Sequence, residues 1–134
     1  MSYSLSTTVD QPFAAALAAT RDALAEQGFG ILTEIDMAAT LRAKIDAEIP
    51  AQVILGACNP PLAHRALQAE ESIGLLLPCN VTVRTVADGR TAVEAVDPQM
   101  MVEVTRNPAL DEVATEAGAR LRAALAAISA PSAD

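Results

Sequence analysis

Residues 74–96 read GLLLPCNVTVRTVADGRTAVEAV, and this stretch decides the predicted fold class. The β-rich run from Gly74 to Val86 predicts one strand, and Arg90 to Val96 predicts the next. Asp88 and Gly89 stand between them, and an Asp-Gly pair flanked by such runs is a strong signal for a β-hairpin. The sequence therefore predicts an antiparallel pair late in the chain.

Toward the N-terminus, strands and helices alternate. A helix is predicted from Phe13, Leu17, Thr20 and Leu24, which recur every three or four residues, and Gly28 is a typical stop. Asp10 and Asp36 are the candidate N-caps of the first two helices. The remaining predicted elements are strands at Ser2–Val9, Phe29–Ile35 and Val53–Ala57, a short helix that ends near Ile45, and a helix from Leu62 to about Glu70.

Toward the C-terminus, one long helix follows Asn107-Pro108. Its apolar stripe is the clearest in the chain and consists of Leu110, Val113, Ala114, Ala117, Leu121, Leu125 and Ile128. Met100 to Val104 fits either a short helix or a strand. The order β-α-β-α-β-α-β-β-α predicts an α+β fold with a mixed, largely antiparallel sheet and helices packed on it. We expect a single domain over 1–134, with a core of about 3–128 and a frayed tail at 129–134.

Composition restricts the classes of partner. The formal charge of −8 repels phosphate, and the three aromatic residues are too few to suggest base stacking, so no nucleic-acid partner is expected. No apolar run is long enough to cross a bilayer, and no targeting segment is visible, so no membrane partner is expected. Two cysteines in 134 residues do not form a disulfide scaffold. These features are typical of a reduced, cytoplasmic protein.

Two segments resemble a known family. Residues 54–63 read ILGACNPPLA, and residues 74–81 read GLLLPCNV, so a Cys-Asn pair occurs in both. Together they resemble the core of the DUF302 family, small bacterial and archaeal domains of unknown function, and the likeness extends from about Phe13 to Ile128. The resemblance implies a compact α+β sandwich that assembles as a homodimer. It implies no activity.

The same two segments supply the candidate ligand-binding residues Cys58, Asn59, Cys79 and Asn80. Cys58 comes at the end of a strand and just before a helix, where the helix dipole and free backbone N–H groups can lower the pKa of a thiol. Cys79 follows Pro78, which marks an edge or a break in strand pairing. If the two strands are neighbours, the thiols could form a disulfide or share a soft metal. Two buried, purely structural thiols are the alternative.

His64 is the only histidine and follows Cys58 closely. Cys58, Cys79 and His64 could supply three ligands and leave one position open, as in catalytic zinc sites and in copper sites. A lone histidine on a helix is more often a surface or core residue, so the metal site is the less favoured interpretation.

Three functions stay open at this point. The paired Cys-Asn context favours a homodimeric module that binds or senses a small ligand or a metal. A structural or interaction domain without a ligand comes second. A thiol-dependent enzyme comes third, because no complete catalytic set is present and no residue is assigned a catalytic role.

Overall fold

The hairpin predicted around Asp88 and Gly89 lies inside a five-stranded sheet with the order β1-β5-β4-β3-β2. The structure is a computed structural model that describes residues 3–129. Its strands are β1 (Ser4–Val9), β2 (Gly30–Asp36), β3 (Gln52–Cys58), β4 (Cys79–Ala87) and β5 (Arg90–Val96). Its helices are α1 (Phe13–Glu26), α2 (Met37–Ile45), α3 (Pro60–Ala69), α4 (Gln99–Thr105) and α5 (Asp111–Ser129), with 3-10 turns at Glu71–Leu76 and Pro108–Leu110.

The predicted α+β class and element order are confirmed. The four strand pairings of the described sheet are all antiparallel, so no parallel pair of the mixed type is seen there. Gly89 has a φ of 68°, which its lack of a Cβ allows, and it closes the two-residue loop between β4 and β5. The segment around Met100 that fitted either element is the helix α4.

Two boundary predictions are wrong. The β-rich run was expected to pair from Gly74, but residues up to Leu76 form a 3-10 turn and β4 begins only at Cys79. Pro78 explains the late start, because a proline has no N–H to donate to the ladder. Asp10 does not cap α1; Pro12 occupies the N-cap position, and the Asp10 carboxylate instead accepts a hydrogen bond from Nε of Arg90 at 3.1 Å.

Helix α1 ends as the glycine predicts. The N–H of Phe29 donates to the carbonyl of Leu24, and the N–H of Gly28 donates to that of Ala25, both at 3.0 Å. This pair of bonds is a Schellman motif, and the φ of 83° at Gly28 supplies the left-handed residue that it needs. Leu24 and Phe29 are both buried in the core. Their packing fixes the direction in which the chain turns from α1 into β2.

The core has two parts. The larger one lies between one face of the sheet, which we call the inner face, and helices α1 and α5; its sheet residues include Leu55, Val81, Val83 and Val93. The smaller one joins α3, α4, α5 and both 3-10 turns. Helix α5 serves both parts, because every residue of its predicted apolar stripe is buried. Ser2 of the first predicted strand and residues 130–134 of the predicted tail lie outside the described residues.

Candidate functional site

The two cysteines lie near one end of the sheet, where β3 ends and β4 begins, but they do not form the predicted pair. Ala57 of β3 lies directly opposite Cys79 of β4, and Cys58 is the next residue along β3. Both thiols are half-buried and free, so the disulfide considered from the sequence is not formed. Both line a cavity of about 30 Å³ between the sheet end and helices α3, α4 and α5. We call it the thiol cavity.

The walls of the thiol cavity are apolar apart from the two cysteines and Asn59. Besides the two cysteines, they include Phe29, Leu62, Ala66, Leu77, Met101 and Val113. A volume of about 30 Å³ is enough for one or two water molecules but leaves the cavity far smaller than a drug-sized ligand. No charged side chain of the described residues is among its lining.

Asn59 lines the thiol cavity and fixes the start of α3 through its side-chain oxygen. Its Oδ1 accepts a hydrogen bond from the N–H of Leu62 at 3.3 Å, as an N-cap does. The next two residues are Pro60 and Pro61, which have no N–H, and the N–H of Ala63 donates to the Asn59 carbonyl at 2.9 Å. The free backbone donors expected beside Cys58 are therefore used or missing, because residues 60–63 at this helix end have no unpaired backbone N–H.

The local environment keeps the Cys79 thiol protonated. Burial among apolar side chains, and then repulsion from Cys58, raise the pKa of Cys79 from its ordinary value of 9.0 to about 11. The thiolate is the nucleophile and the metal ligand, so this thiol is inert at neutral pH.

Asn80 lies on the other face of the sheet from Cys79, so the prediction that it lies beside the thiols is wrong. Successive residues of a strand point to opposite faces, so the inner face takes Cys79 and the outer face takes Asn80. Asn80 is exposed and lines a separate groove with Thr82 and Arg84.

His64 does not join the cysteines. It is exposed on α3 and is not part of the thiol-cavity lining. Across residues 3–129, no group of three or more His, Cys, Asp or Glu side chains could hold a metal ion. The predicted zinc or copper site of Cys58, Cys79 and His64 is therefore not seen. Its physical reason is the helical position of His64, which turns the ring to solvent.

Sequence reasoning missed two parts of this region. Met101 and Val113 come from distant segments, and only the packing of α4 and α5 brings them to the thiol cavity. The ion pair of Arg84 and Glu94 on the outer face was also missed. The sequence contained a signal for this polar face, because alternation along β4 places Asn80, Thr82 and Arg84 on one face of the strand.

Comparison with known proteins agrees with this fold. A family model described as a domain of unknown function, DUF302, matches residues 5–128. The chain belongs to the DUF302 family. Its structure is similar to the crystal structure of an uncharacterized conserved DUF302 protein from Bacillus stearothermophilus, with 28% sequence identity and a TM-score of 0.87. That match covers 95% of this chain and 98% of the other.

A search of curated proteins finds no match to this DUF302 chain. The family-model match and the structural similarity together show the family and the fold. In addition, none of the helices within residues 3–129 combines the length and apolarity that a transmembrane helix requires.

Proposed function

We propose that this chain is a cytoplasmic, homodimeric binding module whose ligand is a small, uncharged and largely apolar molecule held in the thiol cavity. The observation that carries the proposal is the lining: apolar side chains, two thiols and the Asn59 amide, with no charged group among the described lining residues. Ligand sites are typically lined by apolar side chains with a few polar groups, and the thiol cavity has this chemistry at a smaller volume.

The chemistry of each polar group in the thiol cavity points to a neutral ligand. The high pKa of Cys79 leaves a neutral thiol at physiological pH, and the donors at the start of α3 are occupied by Asn59 or absent at the prolines. A buried charge without a partner costs several kcal/mol at least. A charged ligand would therefore lose its hydration without compensation.

The size of the thiol cavity restricts the ligand further. A cavity of about 30 Å³ accepts a molecule of only a few heavy atoms unless its walls move. Met101 is the wall residue best suited to such movement, because an unbranched thioether side chain changes rotamer readily. The same apolar environment keeps the Cys79 thiol protonated. This disfavours a thiol-dependent enzyme that would use Cys79 as its nucleophile.

Xenon is a suitable probe, because it binds small apolar cavities without needing a polar contact. We expect saturable shifts of the methyl resonances of Leu62, Met101 and Val113 under xenon, and none under acetate, a charged probe of a few heavy atoms. Ala63→Leu should fill the mouth of the cavity and abolish the xenon response. Ala39→Leu, the same change on the exposed side of α2, is the matched control and should keep it.

A xenon response that is absent, or that is equal in Ala63→Leu and the wild type, would contradict the proposal. The homodimer is checked separately by sedimentation: a monomer at all concentrations would remove that part and leave the ligand site standing. No nucleic-acid partner is proposed, because the net charge of −8 opposes binding to phosphate.

A further inference from the structure

The outer face of the sheet holds a second, chemically different concavity. It has a volume of about 320 Å³ and is lined by polar residues from four strands, with Tyr3 at one end. The side chains that matter are Gln52 of β3, Asn80, Thr82 and Arg84 of β4, and Glu94 of β5. We call it the polar groove. It shares no residue with the thiol cavity.

Strand register explains how these side chains converge. Thr82 lies opposite Glu94 on one side, and Arg84 lies opposite Gln52 on the other. Because residues two apart on a strand share a face, Asn80, Thr82 and Arg84 form a row along β4. The charged end of the groove is thus at Arg84 and Glu94, and its uncharged end is at Asn80.

Arg84 and Glu94 form an ion pair that uses one nitrogen of the guanidinium and one oxygen of the carboxylate. Nε of Arg84 donates to Oε1 of Glu94 at 2.9 Å. Within residues 3–129 this is the only hydrogen-bonded partner of either side chain, so the terminal nitrogens of the guanidinium and Oε2 of the carboxylate still have bonding capacity. The side chains of Gln52, Asn80 and Thr82 likewise have no protein hydrogen bond within that range.

The groove covers this ion pair in part. The side chains of Arg84 and Glu94 are 42% and 31% exposed, against 55% and 88% for Arg90 and Asp10 at the far end of β5. Partial burial lowers the local dielectric, which strengthens the attraction of each group for an opposite charge. A cation and an anion side by side, each with free bonding positions, complement a ligand that carries both charges.

We infer that the polar groove binds a zwitterionic α-amino acid. Its carboxylate lies against the terminal nitrogens of Arg84, a fork that matches carboxylate geometry, and its ammonium donates to Oε2 of Glu94. The side chain of the ligand then extends along Thr82 toward Asn80. The net charge of −8 disfavours a purely anionic ligand, and the guanidinium disfavours a purely cationic one.

L-Leucine is the probe, and backbone amide shifts in β4 and β5 are the readout. We expect saturable binding with a Kd in the range of about 1 mM, weakened at least about tenfold for L-leucine methyl ester, which lacks the carboxylate, and for N-acetyl-L-leucine, which lacks the ammonium. Arg84→Gln and Glu94→Gln should each cause a similar loss. Arg90→Gln removes an exposed arginine of the same sheet and should leave the Kd unchanged.

Two results would overturn the inference. One is the absence of saturable shifts, or equal binding of L-leucine and its two blocked derivatives. The other is a change in sedimentation behaviour of Arg84→Gln without any L-leucine binding by the wild type, which would make this face a contact between copies of the chain. The result is independent of the xenon test, because the two sites share no residue.

Discussion

The two faces of β4 differ completely although their residues alternate along one strand. Cys79, Val81 and Val83 face the core, whereas Asn80, Thr82 and Arg84 line the polar groove. The inner face borders the largely apolar thiol cavity, and the outer face carries the ion pair of Arg84 and Glu94. Two residues adjacent in sequence, Cys79 and Asn80, therefore belong to different sites. Successive side chains of a β-strand point to opposite faces, so neighbours in the sequence lie on different sides of the sheet.

The largest effect that tests this comparison is expected at β3, where Leu55 faces the core and Ile54 faces outward. Leu55 is fully buried, so Leu55→Ala should lower the free energy of unfolding by about 4 kcal/mol. Ile54 is only half-buried, so Ile54→Ala should cost about 1 kcal/mol. Urea denaturation of the two variants measures the difference. Equal costs would show that the outer face is also covered in solution.

A slightly smaller effect is expected at Gly56, where β3 passes under the segment that leads into β4. A Cβ at this position would collide with Oγ1 of Thr33 and would come within 2.8 Å of Cγ of Pro78. Gly56→Ala should therefore cost about 3 kcal/mol through overpacking, measured by urea denaturation. Gly74→Ala is the control, because nothing lies within 4 Å of its Cβ. A Gly56→Ala variant as stable as Gly74→Ala would contradict this close packing.

The smallest of the three effects concerns pH and the thiol cavity. The folded state holds the Cys79 thiol with a pKa of about 11, above its ordinary value of 9.0, so the unfolded chain loses this proton first as the pH rises. The contribution to stability is complete below about pH 9 and is lost as the pH rises through about 11, which lowers the free energy of unfolding by about 2 kcal/mol. The difference in unfolding free energy between the wild type and Cys79→Ala, measured from pH 7 to pH 11, isolates this contribution. A difference that does not change with pH would show that Cys79 is not shielded as described.

Much of the fold could be predicted from local patterns. The apolar stripe of α5, the stop at Gly28 and the Asp-Gly hairpin each depend on residues close together in the chain, and each is confirmed. The caps were predicted less well: Asp36 caps α2 through the N–H of Ala39, but Asp10 pairs with Arg90, eighty residues away. A carboxylate near a helix start has two possible partners, and the local sequence does not contain the distant one.

The candidate site could be predicted only in part. That Cys58 and Cys79 lie on neighbouring strands follows from the register of β3 and β4, which no local pattern specifies. The alternation of side chains along β4 places Asn80 on the face opposite to Cys79, and the helical position of His64 removes the third metal ligand.

The sequence by itself determined the identity and order of the elements apart from α4, because helix and strand periods, caps and turns are short-range properties. It also determined the family, through the two Cys-Asn segments and their surroundings. Only the tertiary structure decided which side chains share a cavity, because strand order, register and the packing of α4 and α5 bring together residues that are distant in the chain. The thiol cavity and the polar groove both result from that long-range packing.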